Sequence, residues 1–328
     1  MRRREFITLV GSAAAAWPLA VHGQRARPVV AVLGSGAADA SSNRLQMSLL
    51  EAGMSELGLT QGQDYVFEAR WAGSDASRFS ELAAELLAGH PAAVVVSTNL
   101  AAIAVQKRSS TIPIVGTGLN VPVATGLVAS LNRPGGKITG VSTMAEDVLL
   151  KLYQIMREAL PGVRTAMMMM NPTNSSNQLM ADLLKAQAAK DGISMLTASV
   201  SAPADLDAAF AQMSRERPGA LLMLTDNSLL ALADTVVARA LELRIPTFGG
   251  FGGTFAQTGA LIAYARDARE AFRGVARLLK KILNGTAPGE LPFEQPTKFN
   301  LVVNLKAAKA LGIEIPPPLL AAADEVIE

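Results

Sequence analysis

Val29-Val30-Ala31-Val32-Leu33 runs into Gly34-Ser35-Gly36 and then Ser41-Ser42-Asn43; far along the chain, Ala166-Met167-Met168-Met169-Met170 runs into Asn171-Pro172 and then Ser175-Ser176-Asn177. Each stretch is a short apolar run that ends in turn residues and opens a helical pattern. A strand buried on both faces of a sheet reads this way. Around the first run, strands are expected at Tyr65–Arg70, Ala93–Val96 and Ile112–Val115. Between them lie a helix carrying Leu45, Leu49, Met54 and Leu57, and a helix with Phe79, Leu82, Ala83, Leu86 and Leu87 at amphipathic spacing. The second half follows the same plan. It has strands at Ile193–Leu196 and Leu221–Leu224, and helices through Leu179, Leu183 and Leu184, through Leu206, Ala209 and Met213, and from about Leu229 to Leu243. Strands separated by helices of this length imply βαβ units and parallel sheets. The expected fold class is α/β with two lobes, each a parallel sheet flanked by helices.

The strand-to-helix junctions of the two halves also correspond. Ser97-Thr98-Asn99 ends the third strand of one half and Thr225-Asp226-Asn227 the third strand of the other. Short hydroxyl, amide and carboxylate side chains at these places have two readings. They are the preferred helix N-caps. They also stand at the carboxyl ends of parallel strands, where open α/β sheets bind ligands. Two sheets facing each other would aim both sets into one cleft. The candidate ligand-binding set is Ser35, Ser97, Thr98, Asn99, Thr117, Asn171, Ser175, Ser176, Asp226, Asn227 and Gly250.

Several other functions are disfavoured. Gly34-x-Gly36 fails as a dinucleotide fingerprint because Asp39 occupies the third glycine position and would face the pyrophosphate. No Walker A, Gly-x-Ser-x-Gly or His-Glu-x-x-His pattern occurs, and no nucleophile has an evident base. Cysteine is absent and histidine numbers 2, so metal sites built on those ligands are not expected. His90 reads as a surface turn, and the four consecutive methionines as a buried strand rather than a soft-metal site.

The first residues read as an export signal: Arg2-Arg3-Arg4, an apolar run from Phe6 to Ala20, then Val21-His22-Gly23 before Gln24. Arg3-Arg4-Glu5-Phe6-Ile7 has the twin-arginine pattern. Residues 1–23 are therefore expected to be removed and the mature chain to be periplasmic. The leader carries 3 Arg and 1 Glu, which leaves the mature chain balanced in charge. A balanced surface predicts neither nucleic-acid nor anionic-membrane binding.

Further residues carry a family resemblance. Gly126-Leu127-Val128-Ala129-Ser130-Leu131-Asn132-Arg133-Pro134-Gly135-Gly136, then Ile138-Thr139-Gly140, form one segment. Glu294-Gln295-Pro296-Thr297-Lys298-Phe299 and Asn304 to Gly312 form another, followed by Ile315-Pro316-Pro317 and Ala323-Asp324-Glu325-Val326-Ile327. With these the chain resembles the ABC transporter substrate-binding proteins whose better-understood members take up tryptophan or tyrosine. The resemblance implies the type I periplasmic binding protein fold, with crossovers at a hinge and the ligand between lobes. It places 28–143 plus about 260–285 in the first lobe and 144–259 plus about 286–328 in the second. It implies a small-molecule ligand, an inner-membrane ABC permease as partner, a monomer, no cofactor and no catalysis. In amino-acid-binding relatives a Thr-Asp-Asn contacts ligand, so Asp226 would pair with an α-ammonium, and Ser97, Thr98, Ser175 and Ser176 would receive the carboxylate. Asn120-Val121-Pro122, where many relatives have Gly-Asp-Pro, and the glycine-rich Phe248–Gly253 loop depart from the family pattern. A ligand-sensing module for a membrane receptor, or a periplasmic enzyme, are the alternatives.

Overall fold

The computed structural model describes residues 27–73 and 75–328, so the export signal lies outside the described residues. Five parallel strands form the first sheet, in the order β2-β1-β3-β4-β5. They are β1 (Val29–Gly34), β2 (Val66–Trp71), β3 (Ala93–Val96), β4 (Ile114–Leu119) and β5 (Ile138–Ser142). The second sheet has seven strands: β6 (Thr165–Met170), β7 (Ser194–Ser199), β8 (Leu221–Met223), β9 (Thr247–Gly249), β10 (Ile262–Arg266), β11 (Phe299–Asn304) and β12 (Glu325–Ile327). Their order is β12-β11-β10-β9-β8-β6-β7. β11 pairs antiparallel with β10 and parallel with β12, so the strands from β10 to β7 run one way and β11 and β12 the other.

Alternation along the strands explains why they read as continuous apolar runs. Met167 and Met169 enter one core cluster, and Met168 and Met170 the cluster on the opposite face. Ala31 and Leu33 are divided from Val30 and Val32 in the same way across the first sheet. Both faces of both sheets are covered, as parallel sheets require. The helix expected from Leu229 to Leu243 is two helices, Asn227–Leu230 and Ala233–Glu242, because the chain tightens to a Leu232 N–H···O=C Leu229 bond between them. His90 is exposed in a left-handed turn, with φ 48°.

The lobe boundaries differ from those expected. β10 pairs with β9 and β11, so residues up to Arg266 stay in the second sheet and the crossover is not near 260. The helix Ala268–Leu283 lies on the first lobe, against the helix Ser41–Glu56. Gly53 permits that approach: a Cβ there would stand 3.1 Å from both Phe272 O and Ala276 Cβ. The tail does not return at 286 either. Leu291 and Phe293 are buried in the first lobe, and Glu294 continues along β5, accepting from Ser142 N–H at 2.8 Å and donating to Gly140 O at 2.9 Å. The return comes at Phe299. The Gly126–Gly136 segment belongs to the same support, since Gly135 N–H donates to Gly289 O. Gly126–Gly140 and Glu294–Lys298 therefore frame the first lobe beside the hinge, while the marking residues from Asn304 onward lie in the second lobe.

Among the described residues three chain passages connect the lobes: Ser142–Met144, Arg266–Ala268 and Lys298–Phe299. Asp267 ties two of them, accepting from Asn300 Nδ2 at 3.1 Å while its N–H donates to Lys298 O at 2.8 Å. It also caps the helix Ala268–Leu283 through Glu270 N–H. Among the described residues no helix is long and apolar enough to cross a membrane.

Candidate functional site

The carboxyl ends of both sheets face one cavity of about 330 Å³. That is the lower end of the range for small-molecule sites. Eight expected residues line it: Ser35, Ser97, Thr98, Asn99, Asn171, Asp226, Asn227 and Gly250. Three do not. Thr117 is buried behind the cleft, its hydroxyl on Val96 O. Ser176 is fully buried against Asn174 Oδ1, and Ser175 is exposed on the first helical turn. The cap of that helix is Asn174, one residue earlier than the serines suggest, and it is Asn174 that reaches the cavity.

The junction side chains mostly serve the backbone first. Thr98 Oγ1 caps Ala101 N–H. Asn99 clamps Asn120 through two bonds, accepting its N–H at 3.0 Å and donating to its carbonyl at 2.9 Å. Asn43 and Asn177, at equivalent places in the two lobes, fix the loops before their helices; Asn43 holds Ser35 O and Ala37 O, and Asn177 holds Asn171 N–H and Thr225 O. Asp226 is an N-cap with further duties. Oδ1 accepts from Ser228 N–H at 2.8 Å and Leu229 N–H at 3.2 Å, Oδ2 accepts from Asn174 Nδ2 at 2.7 Å, and Asn171 Nδ2 lies 3.4 Å from both oxygens. Gly250 is required by closeness, because a Cβ would stand 2.8 Å from Thr225 Oγ1.

The lobes touch across the cavity. Asn120 Nδ2 donates to Thr225 O at 3.1 Å, Asn227 Nδ2 reaches Ser97 O at 3.5 Å, and Arg266 Nη2 donates to Thr117 O. Val121, held at φ 40°, inserts into the apolar cluster of the second lobe. A β-branched residue in the left-handed region is strained, and here burial offsets the cost.

Asn120 and Arg266 were missed as site residues. Asn120-Val121-Pro122 departs from the Gly-Asp-Pro of the resembled family, yet Asn120 itself lines the cavity. Arg266 is the last residue of β10. A cation at the carboxyl end of a strand was the available signal. Three side-chain atoms of cavity-lining residues are sealed from solvent with no hydrogen-bond partner: Ser97 Oγ and Asn120 Oδ1 in the first lobe, and Arg266 Nη1 in the second. Apolar lining comes from Leu45, Phe79, Phe251 and Phe272. Leu45 is 47% exposed; it lies on the predicted helix but faces the cleft instead of the core.

The comparisons agree with this architecture. The family model described as ABC transporter substrate binding protein matches residues 37–327. A tyrosine-binding protein of Clostridioides difficile (strain R20291) is 21% identical over 261 residues, covering 80% of this chain and 74% of that protein. A conserved domain protein from Vibrio cholerae superposes with a TM-score of 0.84 at 26% identity, over 91% of this chain and 99% of that one. An ABC domain from Streptococcus pneumonia in complex with L-Trp gives 0.81 at 22% identity, over 91% and 100%. Fold and family are those of solute-binding proteins rather than enzymes: the chain belongs to the ABC transporter substrate binding protein family.

Proposed function

We propose that this chain is the exported receptor of an ABC importer, closing its two lobes over a small polar ligand and presenting it to an inner-membrane permease. The observation that carries this reading is the cavity lined from the strand ends of both lobes, with hydrogen bonds running between the lobes across it. A ligand that satisfies groups of both lobes at once binds the closed form better than the open one, and that difference drives closure. Amino acids are the first class to test, because one relative is named for tyrosine and one similar structure holds L-Trp. The apolar contribution of Phe79, Phe251 and Phe272 suits an aromatic side chain. Export through the leader at residues 1–23 places the receptor in the periplasm, where it acts as a monomer.

The test is native mass spectrometry of protein purified from its own periplasm, followed by solution scattering with and without the retained molecule. The expected result is a bound small molecule and a smaller radius of gyration on rebinding. At 100 times its dissociation constant the ligand adds about 2.7 kcal/mol of stability. Tight binding with unchanged scattering refutes closure.

A further inference from the structure

The charges of the cleft, taken with the receptor reading on which this inference rests, narrow the chemistry of the ligand. Among the described residues that line the cavity, only Asp226 and Arg266 are charged. Asp226 is already occupied. Its carboxylate has about four acceptor sites, and Ser228 N–H, Leu229 N–H, Asn174 Nδ2 and Asn171 Nδ2 are placed to use them. Arg266 is in the opposite state. Its one acceptor is the carbonyl of Thr117, its Nη1 is buried without a partner, and no ion pair involves it among the described residues. Arg70, Arg157, Arg239, Arg273 and Arg277 each meet a carboxylate. Burial pushes the Arg266 guanidinium down to about 10, so it remains a cation at neutral pH.

A planar cation enclosed beside a cavity with no counter-charge costs stability unless something pairs with it. A latch between the lobes does not account for it. Donating to Thr117 O needs a single N–H, which a glutamine supplies without burying a charge. A guanidinium is suited instead to a carboxylate, which it can hold by two parallel bonds. Asn120 Oδ1, the other buried orphan whose chemistry is fixed, can only accept.

We propose that Arg266 anchors a carboxylate of the ligand, and that the ligand is a small carboxylic acid bearing a hydrogen-bond donor, amino or hydroxy, for Asn120 Oδ1. The carboxylate then lies on the second lobe's β10 rather than on the serines and threonines of the strand ends. The donor needs no negative partner, because Asp226 is committed to its cap.

Three probes sharing one ring separate the possibilities by calorimetry: L-tyrosine, 3-(4-hydroxyphenyl)lactate, which replaces the amino group by hydroxyl, and tyramine, which lacks the carboxylate. They are titrated into wild type, Arg266→Gln and Arg266→Lys. Both acids are expected to bind wild type, and tyramine about 30-fold more weakly or worse. Arg266→Gln should weaken both acids about 30-fold or more, leave tyramine unchanged, and melt no lower than wild type when ligand-free. Arg266→Lys should recover part of the loss. If wild type binds none of the three, the molecule retained from the periplasm replaces tyrosine in the comparison. A retained molecule without a carboxylate, tyramine binding as tightly as tyrosine, or unchanged acid affinity in Arg266→Gln overturns the anchor while leaving the receptor reading intact. Finding no retained molecule and no contraction with any probe overturns the receptor reading, and the anchor with it.

Discussion

Replacing Asp226 by Asn tests whether the cleft is organised as the hydrogen bonds indicate. For an ordinary N-cap the exchange is nearly neutral, since Asn caps about as well as Asp. Asp226 is different because every neighbour of its carboxylate is a donor. In Asp226→Asn the amide oxygen can keep Ser228 N–H and Leu229 N–H, now at 2.8 and 3.2 Å. The amide nitrogen must then face Asn174 Nδ2, where a 2.7 Å bond stood. Two donors oppose each other in a site where Asp226 is only 7% exposed. Losing a hydrogen bond to a charged group costs about 1.5–3 kcal/mol, against a few tenths for a simple exchange of caps. Asn174→Asp by itself brings two carboxylates together and is also destabilising. Combining Asp226→Asn with Asn174→Asp restores a matched pair: the carboxylate now at position 174 can cap Ser176 N–H and accept from the amide now at position 226. Urea unfolding of the four proteins at constant m reads the cycle. The double variant should regain most of the loss, with a coupling of about 1–3 kcal/mol. A single Asp226→Asn within about 0.5 kcal/mol of wild type, or a double variant no better than the sum of the singles, refutes the network.

Gly118→Ala would place a Cβ 2.6 Å from Ser97 O, so the strand end beside the cavity must shift; a loss of about 1–3 kcal/mol in chemical denaturation and weaker ligand binding are expected. Asp267 gives the hinge an acid limit. Burial alone would raise its pKa, but Glu270 N–H, Asn300 Nδ2 and the charges of Lys298 and Arg269 outweigh that and hold it below the usual carboxylate range. Its contribution is therefore complete above the unfolded-state pKa of about 4 and is lost as pH falls through the lower folded value. Melting temperatures from pH 5 to pH 2 should fall less steeply for Asp267→Asn than for wild type, and parallel curves count against the assignment. Lysine at positions 3 and 4 should leave uncleaved precursor in the cytoplasm, detected by fractionation; normal processing would assign the leader to the general secretory route.

The strands and most helices were legible because burial on both faces leaves a plain mark, as in Met167–Met170 and Val94–Val96. Lobe membership was harder to read. Nothing local in Glu294-Gln295-Pro296 says that it follows β5, because that pairing joins residues about 150 apart in sequence. The candidate site was legible where side chain and strand end coincide, at Ser97, Asn99 and Asp226. It was misread at Ser175 and Ser176: Ser175 is exposed, Ser176 Oγ donates to Asn174 Oδ1, and it is Asn174 that reaches the cavity. Arg266 was hidden because no motif marks a single arginine after Ala263-Tyr264-Ala265 as a cavity group.

The orphaned atoms also bear on the direction of the proposed motion. Ser97 Oγ, Asn120 Oδ1 and Arg266 Nη1 are cut off from water with the lobes in contact and have no partner in return. Each such group costs about 1–3 kcal/mol, or about 3–9 kcal/mol for the set. Set against this are the cross-lobe bonds of Asn120, Asn227 and Arg266, at about 1 kcal/mol each, and the burial of Val121. These opposing terms are of similar size, so on the proposed motion the two forms differ by no more than a few kcal/mol. Moving such an equilibrium from about 1:99 to 99:1 takes about 5.5 kcal/mol of differential affinity. A ligand that partners the three atoms removes a penalty of that size at once, before any apolar contact is counted. On this reading the aromatic lining governs how tightly a ligand is held, while the polar atoms decide which ligands can close the lobes.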